Sequence, residues 1–185
     1  QLAASAPAPV HAAEPLAVLG LRSGTSRGEI QAAYPGMVFK DVPYLDPQVG
    51  DVYRYLYGGL ATLRIEGSAT VKRGPLQALL RVTLTGDRAL YHAEARVREE
   101  GLSCEGALGR LRARYGRPAL GGDASYTLWR EAQVLYAMQL EFRCLDARRG
   151  IYTVTLDDPF RQRLFIKSLA KRLQPALEAT HMVLR

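Results

Sequence analysis

The segment that follows residue 101 constrains the fold more than any other stretch of this chain. Residues 102–115 have the apolar spacing of a short amphipathic helix, carried by Leu108, Leu111 and Tyr115. Gly116 and the proline two residues later end that helix. Residues 125–130 then have the composition of a strand. The segment therefore predicts a helix that leads directly into antiparallel strands.

The only two cysteines flank this unit. Cys104 lies at the start of the helix and Cys144 at the end of a predicted core strand. A disulfide between them would close a loop of about 40 residues and stabilise the fold by roughly 3–4 kcal/mol. A redox-active pair is the alternative, but the chain has no C-x-x-C and no histidine beside either thiol. We predict a structural disulfide.

A metal site is disfavoured, because two cysteines and the scattered His11, His92 and His181 do not have ligand spacing. We expect no metal and no other cofactor. The adjacent carboxylates Asp157-Asp158 and Glu99-Glu100 diverge in any regular backbone, so neither pair can share a substrate proton. We predict no catalytic residue and a chain that is not an enzyme.

The N-terminal sequence and the cysteines together indicate a compartment. Residues 1–15 are rich in alanine and proline and show no helical or strand period, which is typical of a flexible leader left after signal-peptide cleavage. Two cysteines near element ends favour an oxidising environment. We predict a periplasmic or secreted protein of the bacterial envelope. A cytosolic chain with two unrelated thiols and a lipoprotein anchored through an upstream cysteine are the alternatives.

The first half of the chain begins with a motif that has two interpretations. The sequence from Gly24 to Gly28 matches the G-x-S-x-G of a nucleophile elbow. Ser26 followed by Glu29 is also a capping box for a short helix whose inward residues include Ile30. The elbow requires a parallel sheet that the following sequence does not supply, so we favour the cap. Pro35 and Gly36 end the helix.

Alternating apolar residues and glycine turns predict the strands. The predicted strands comprise 51–57, 60–66, 76–85, 88–97, 125–130, 134–143 and 151–157. Residues 40–50 and 67–75 are predicted loops. In the last helix Asp158 is the predicted N-cap and Pro175 is the predicted end, with a tail over 180–185. The predicted apolar stripe comprises Phe160, Leu164, Leu169 and Leu173, and Phe165 and Ile166 widen it.

These elements predict an α+β fold, with short helices packed on antiparallel sheet. Residues 16–98 and 99–185 each contain a helix followed by strands, and the two helices begin about 80 residues apart. We therefore divide the chain into two helix-plus-meander halves that form one unit. Accidental similarity between the halves is the alternative.

The residues of both predicted helices resemble a recurrent periplasmic module. They comprise Gly20, Leu21, Gly24, Ser26, Glu29, Ile30 and Tyr34, and again Leu108, Leu111, Tyr115 and Gly116. The pattern is similar to outer-membrane assembly lipoproteins of the SmpA/OmlA type and to the tandem modules of beta-lactamase inhibitory protein. The resemblance implies a helix-packed antiparallel sheet with a binding role. The usual Met-Thr before the first helix is Thr25-Ser26 here, and no lipobox cysteine is visible.

Charge indicates the kind of partner. The net charge is +7, and among 25 basic residues only Lys40, Lys72, Lys167 and Lys171 are lysines, so the rest are arginines. Arg110, Arg114 and Arg117 form the first predicted binding surface, suited to an acidic protein or an anionic glycan. The alternative is an ordinary solvated face, with cations near helix C-termini. The basic last helix alternatively suits an anionic membrane surface. No nucleic-acid-binding signature is present, so we expect no nucleic acid.

The second predicted binding surface is the strand 51–57. Period-two alternation places Tyr53, Tyr55 and Tyr57 on one side and Val52, Arg54 and Leu56 on the other. Exposed tyrosines would be binding hot spots. The alternative is that the tyrosines face the core and Arg54 faces water.

The combined expectation is a non-catalytic periplasmic binding protein that engages a protein partner, as an inhibitor, immunity or envelope-assembly accessory protein. The alternative is a small lipid- or glycan-binding carrier or enzyme with a pocket between helix and sheet. A deep apolar pocket with converging polar groups would favour the second function.

Overall fold

The computed structural model describes residues 14–43, 62–132 and 137–183. Three predictions fall outside these ranges. The leader lies outside except for its last two residues, and so do the strand with Tyr53, Tyr55 and Tyr57 and the first residues of the predicted strand 134–143.

Three helices and eight strands make up the described parts of the chain. The helices are α1 (Arg27–Ala33), α2 (Cys104–Tyr115) and α3 (Pro159–Val183). The strands are β1 (Val38–Pro43), β2 (Thr62–Arg73), β3 (Leu76–Thr85), β4 (Leu90–Glu99), β5 (Leu120–Gly121), β6 (Thr127–Arg130), β7 (Gln139–Asp146) and β8 (Ile151–Asp157). The α+β fold class predicted from the sequence is confirmed.

All eight strands belong to one antiparallel sheet in the order β1-β2-β3-β4-β8-β7-β6-β5. Within the described residues, each half of the chain contributes four strands after one helix. The halves join where their last strands pair, with Ala95 opposite Val154. The centre of the sheet is therefore formed by β4 and β8, which are far apart in sequence.

Side-chain alternation gives the sheet one buried face and one open face. In β4, Ala93, Ala95 and Val97 are buried, while Arg96 and Arg98 between and beyond them are exposed. The same alternation runs through β2, β3, β7 and β8. The buried side chains belong to one core cluster together with those of α1 and α2, so both helices cover the same face.

The predicted cap of α1 is confirmed. The Ser26 side chain accepts a hydrogen bond from the Glu29 backbone N–H, and the Glu29 side chain accepts one from the Ser26 backbone. The residue that matched a nucleophile motif therefore satisfies helix donors instead. The helix ends at Ala33, before Pro35, as the sequence predicts.

The disulfide between Cys104 and Cys144 is also confirmed. It links the first residue of α2 to β7 across a sequence separation of 40. Two further bonds hold the other end of the helix. The Tyr115 hydroxyl donates to the Ala17 carbonyl at 3.2 Å, and the Trp129 indole N–H donates to the Gly116 carbonyl at 3.0 Å. The second helix is thus fixed to the fold at both ends.

Two predicted loops are wrong in part: the structure has strand at 67–73 of the loop 67–75 and at 40–43 of the loop 40–50, and residues 44–50 lie outside the described ranges. Residues 67–73 continue β2, because Ala69 and Val71 are buried and alternate with the exposed Ser68 and Thr70. The polar residues that suggested a loop are the outward positions of a long strand. Residues 40–43 belong to β1, which pairs with β2 at the sheet edge. The partner of β3 begins at Leu90 rather than at residue 88.

Two predictions for α3 are wrong as well. The helix passes through Pro175 and extends to Val183, so the predicted tail is mostly helical. Burial of Leu173 and Ala176 on either side of the proline supports the continuation. The buried side of the helix comprises Phe165, Leu169, Leu173 and Ala176. Phe160 and Leu164 of the predicted stripe are instead exposed, at 56% and 52%.

Gly86 is a contact point between α3 and the sheet. A Cβ added there would lie 2.0 Å from the Thr62 carbonyl oxygen and 2.6 Å from the Phe165 ring. The absence of a side chain therefore lets the β3–β4 turn pass between β2 and the helix.

We predict that Gly86→Ala destabilises the protein by more than about 2 kcal/mol, because backbone must move to relieve the overlap. Gly109→Ala is the matched control, since its Cβ would meet nothing within 4 Å and alanine favours a helix interior. The control should be stabilising by up to ~1 kcal/mol. Urea unfolding measures both, and equal stabilities for the two variants would contradict this packing.

Candidate functional site

The open face of the sheet is a polar surface formed by alternate residues of six strands. We define the open face as the outward side chains of β1–β4, β7 and β8. The strand register arranges them in four rows across the sheet. The rows are Lys40–Glu66–Thr83–His92–Asp157–Gln139, Val38–Ser68–Arg81–Glu94–Thr155–Glu141, Thr70–Leu79–Arg96–Thr153–Arg143 and Lys72–Gln77–Arg98–Ile151–Asp146.

Charge is distributed unevenly over these rows. The first two rows contain acidic residues on β2, β4, β7 and β8. The basic residues of these two rows lie close to the acidic ones. The third and fourth rows are predominantly basic. At their centre Lys72, Arg96 and Arg98 surround Leu79, whose side chain is 39% exposed. We call these four residues the basic patch.

The cations of the basic patch are not neutralised within the parts of the chain that the structure describes. Lys72, Arg96 and Arg98 are exposed, and none has a carboxylate within ion-pair distance among the described residues. They border a shallow depression of about 250 Å³ that has Leu79 and Ile151 at its base. Like charges brought together on one sheet face repel each other, so an anionic partner would relieve that repulsion.

The other end of the open face carries paired charges. Arg64 contacts Glu66 at 2.8 Å, and His92 contacts Asp157 at 3.4 Å. A broad groove of about 580 Å³ runs beside them, with Lys40, Arg81 and Glu94 among its lining side chains. This end offers both signs of charge to a partner, whereas the basic patch offers one.

A β-bulge places a tyrosine among these paired charges. Thr83 pairs with His92 and Leu84 with Leu90, which leaves Tyr91 as the extra residue of β4. Burial raises the pKa of Tyr91, and Arg64 acts in the opposite direction. Asp157 and Glu66 raise the pKa further. The phenol is therefore a neutral hydrogen-bond donor at physiological pH.

The arginines predicted from the α2 sequence lie on the opposite side of the sheet from the open face. Arg110 contacts Glu99 of β4 at 2.9 Å, and Arg114 contacts Glu14 at 3.3 Å. Arg117 is exposed in the loop after the helix. The first two thus project from one side of α2 and have acidic partners, whereas the basic patch has none among the described residues.

A cavity of about 250 Å³ lies between α2, residues 17–19 and the buried face of the sheet. Its walls are mostly apolar and include Val18, Leu76 and Val97. Arg110, Arg114 and Glu99 are the charged residues beside it. This is the kind of space between helix and sheet that the alternative function requires.

The adjacent carboxylates are separated as the sequence predicts. Asp157 faces His92 across the sheet, whereas Asp158 accepts the Arg161 backbone N–H at 3.1 Å and caps α3. Glu99 pairs with Arg110. Among the described residues no cluster of three or more histidine, cysteine or acidic side chains could hold a metal ion.

The outward surface of α3 combines basic and apolar side chains. Phe160, Leu164 and Met182 are exposed beside Lys167 and Lys171. Within the described ranges, no helix has the length and apolar character needed to span a membrane. The exposed surface is therefore amphipathic rather than uniformly apolar.

Comparison of this chain with protein-family models, curated proteins and solved structures gives no match.

The basic patch was not predicted from the sequence. Its signal was present in β4, where His92, Glu94, Arg96 and Arg98 alternate with buried apolar residues. The polar residues at 67–75 predict a loop. The sequence therefore does not show that Lys72 belongs to the long strand β2 and faces outward beside the arginines of β4. Only the register of three strands brings the cations together.

The raised pKa of Tyr91 predicts a pH dependence of stability. The folded state holds the phenolic proton more tightly than the unfolded chain, so this stabilisation is complete below the ordinary tyrosine pKa near 10. It is lost as pH rises towards the raised pKa of the folded state. When the pH is raised from neutral to alkaline, we expect the free energy of unfolding to fall less in Tyr91→Phe than in the natural chain.

Chemical denaturation at a series of pH values measures this difference. Arg64→Gln is a second variant, which removes a cation that lowers the pKa of Tyr91 and should therefore increase the alkaline loss. Parallel pH profiles for Tyr91→Phe and the natural chain would contradict the burial of this phenol among the charges of the open face.

Proposed function

We propose that this chain is a non-catalytic binding protein of the bacterial envelope that holds an acidic protein partner on the open face of its sheet. The observation that carries the proposal is the basic patch, three exposed cations around Leu79 that have no carboxylate within ion-pair distance among the described residues. Arginine presents a planar donor set that matches carboxylates, and an exposed apolar side chain at the centre supplies contact area.

Electrostatics explains why such a face would bind one partner rather than many. The basic patch attracts carboxylates, while the neighbouring rows with Glu66, Glu94 and Glu141 repel them. A partner must therefore place its acidic groups over the patch in one orientation. Complementarity of this kind increases the association rate and fixes the register of a complex.

The rigidity of the face supports the same proposal. The patch lies on strands near the centre of an eight-stranded sheet, and the other side of that sheet is packed against α1 and α2. The backbone of such a scaffold loses little freedom when a partner binds. Tyr53, Tyr55 and Tyr57 lie outside the described residues, so their contribution to binding stays a prediction from the sequence.

The compartment and biological role are part of the proposal. The disulfide between Cys104 and Cys144 is compatible with an oxidising compartment such as the periplasm. The resemblance of the two helix-plus-strand segments to envelope-assembly lipoproteins and to beta-lactamase inhibitory protein supports an inhibitor, immunity or assembly role. Arg110, Arg114 and Arg117 would form a separate contact surface on the helical side.

The charge-reversing variant Arg96→Glu tests the proposal. It should weaken capture of the partner from a periplasmic extract by about tenfold or more, because it places a carboxylate beside Leu79 in the patch. The matched control is Arg22→Glu, which changes the net charge equally at an exposed site in the loop before α1. Quantitative mass spectrometry of the captured protein compares the two variants, and thermal unfolding verifies that both fold.

Equal capture by Arg96→Glu and Arg22→Glu would exclude the basic patch as the binding surface. If capture is lost only when the charges of Arg110 and Arg114 are reversed, the partner binds the side of the sheet that carries α2. Binding to anionic vesicles that is removed by Lys167→Glu and unaffected by Arg96→Glu would favour the alternative of a membrane surface contacted by α3.

A further inference from the structure

We infer that the cavity beneath α2 is a binding site for a small amphiphilic carboxylate, with its hydrocarbon chain in the cavity and its head group at Arg114. This site is on the opposite side of the sheet from the open face. It gives a ligand class to the alternative carrier function and does not require the proposed protein partner.

The walls of the cavity determine the chemistry of the buried part of the ligand. They are formed largely by aliphatic side chains, including Val18, Leu76, Val97, Leu111 and Val154. A volume of about 250 Å³ is slightly below the ~300–1,000 Å³ of typical small-molecule sites. The space therefore suits one short hydrocarbon chain rather than a lipid with two long chains.

The wall formed by the N-terminal segment is fixed by hydrogen bonds. Val18 and Leu21 exchange backbone hydrogen bonds of 3.0 and 2.9 Å around a turn at Leu19 and Gly20. The Tyr34 hydroxyl donates to the Leu19 carbonyl, and the Tyr115 hydroxyl donates to the Ala17 carbonyl at 3.2 Å. Because α1 and α2 both hold this segment, the cavity is formed before a ligand arrives.

One polar group inside the cavity is ready to orient a head group. Tyr152 lines the cavity, and its hydroxyl makes no hydrogen bond to the residues that the structure describes. Burial raises the pKa of Tyr152, so the phenol remains protonated and can donate. A donor in a mostly apolar wall is satisfied by an acceptor on the ligand.

The two arginines beside the cavity differ in how firmly they are held. Arg110 donates from one nitrogen to both oxygens of Glu99, at 2.9 and 3.1 Å, and the Glu99 side chain is only 15% exposed. This pair is therefore a fixed part of the wall. Arg114 forms its ion pair with Glu14 at 3.3 Å, and no other carboxylate of the described residues pairs with it. Both side chains are more than half exposed.

An exposed ion pair of this kind contributes little to stability, so a ligand carboxylate can replace Glu14 at Arg114. The replacement keeps the charge balance beside the cavity, because one carboxylate takes the place of another. A cationic amphiphile would instead meet Arg114 directly. The combination of an aliphatic wall, a tyrosine donor and an exchangeable arginine therefore favours a monoanionic carboxylate.

Isothermal titration of the full chain with octanoate, decanoate and dodecanoate, below their micelle-forming concentrations, tests this site. Affinity should rise by about fourfold per added methylene until the cavity is full. Decanol and decyltrimethylammonium are the matched ligands without the negative charge, and both should bind more weakly than decanoate.

Two variants locate the ligand. Ala17→Phe places a ring in the cavity from its half-buried rim and should abolish saturable binding of decanoate. Arg114→Gln should weaken decanoate about threefold to tenfold and leave decanol unchanged. Arg117→Gln is the matched control, because it removes the same charge from the exposed loop after α2. Thermal unfolding without ligand verifies that each variant folds.

Absence of saturable decanoate binding to the natural chain would overturn the inference. Undiminished binding to a folded Ala17→Phe variant would also overturn it, since the ligand would then lie elsewhere. Equal losses in Arg114→Gln and Arg117→Gln would exclude Arg114 as the head-group contact. The charge reversal at Arg96 should leave decanoate binding unchanged, so failure of this site and failure of the protein-binding proposal are distinguishable.

Discussion

The pairing of β4 with β8 is the constraint on which the rest of the structure depends. It joins the two groups of four strands into one sheet and fixes which side chains of β4 face the helices. A shift of one residue would turn Ala93, Ala95 and Val97 towards water and bury Arg96 and Arg98. The cost of burying unpaired cations is large enough to exclude that register.

The same strand therefore contributes to two different surfaces. Arg96 and Arg98 project into the basic patch, whereas Ala95 and Val97 face the cavity beneath α2. The small side chain of Ala95 leaves room there that a larger residue would fill. The disulfide and the Tyr115 hydroxyl hold α2 over that room from both ends of the helix. One sheet thus supports a polar binding face and a separate apolar cavity.

Local signals in the sequence predicted the elements whose determinants are local. The capping box of Ser26 and Glu29, the bounds of β3 and β8 and the disulfide were all predicted, because each depends on neighbouring residues or on the only available cysteine pair. The start of α3 was predicted, but its continuation beyond Pro175 was not. Proline normally ends a helix, and here the burial of flanking residues outweighs that preference.

The candidate site was harder to predict from the sequence than the fold. Lys72 and Arg98 are far apart along the chain and meet only through their shared neighbour Gln77 on β3. Such a patch depends on register, which a single sequence does not reveal. The α2 arginines were recognisable from helical spacing alone, but their acidic partners Glu14 and Glu99 come from distant segments.

Lysine labelling tests most directly the claim that the open face binds the protein partner. The four lysines divide between the open face and α3, which is the competing binding surface. Lys40 and Lys72 lie on the open face, and Lys167 and Lys171 lie on α3. An amine-reactive reagent would be applied to the free chain and to its complex with the captured partner, followed by peptide mass spectrometry. Protection of Lys72, with Lys167 and Lys171 unchanged, is the predicted result. Protection confined to the α3 lysines, with Lys72 fully reactive, would contradict the account.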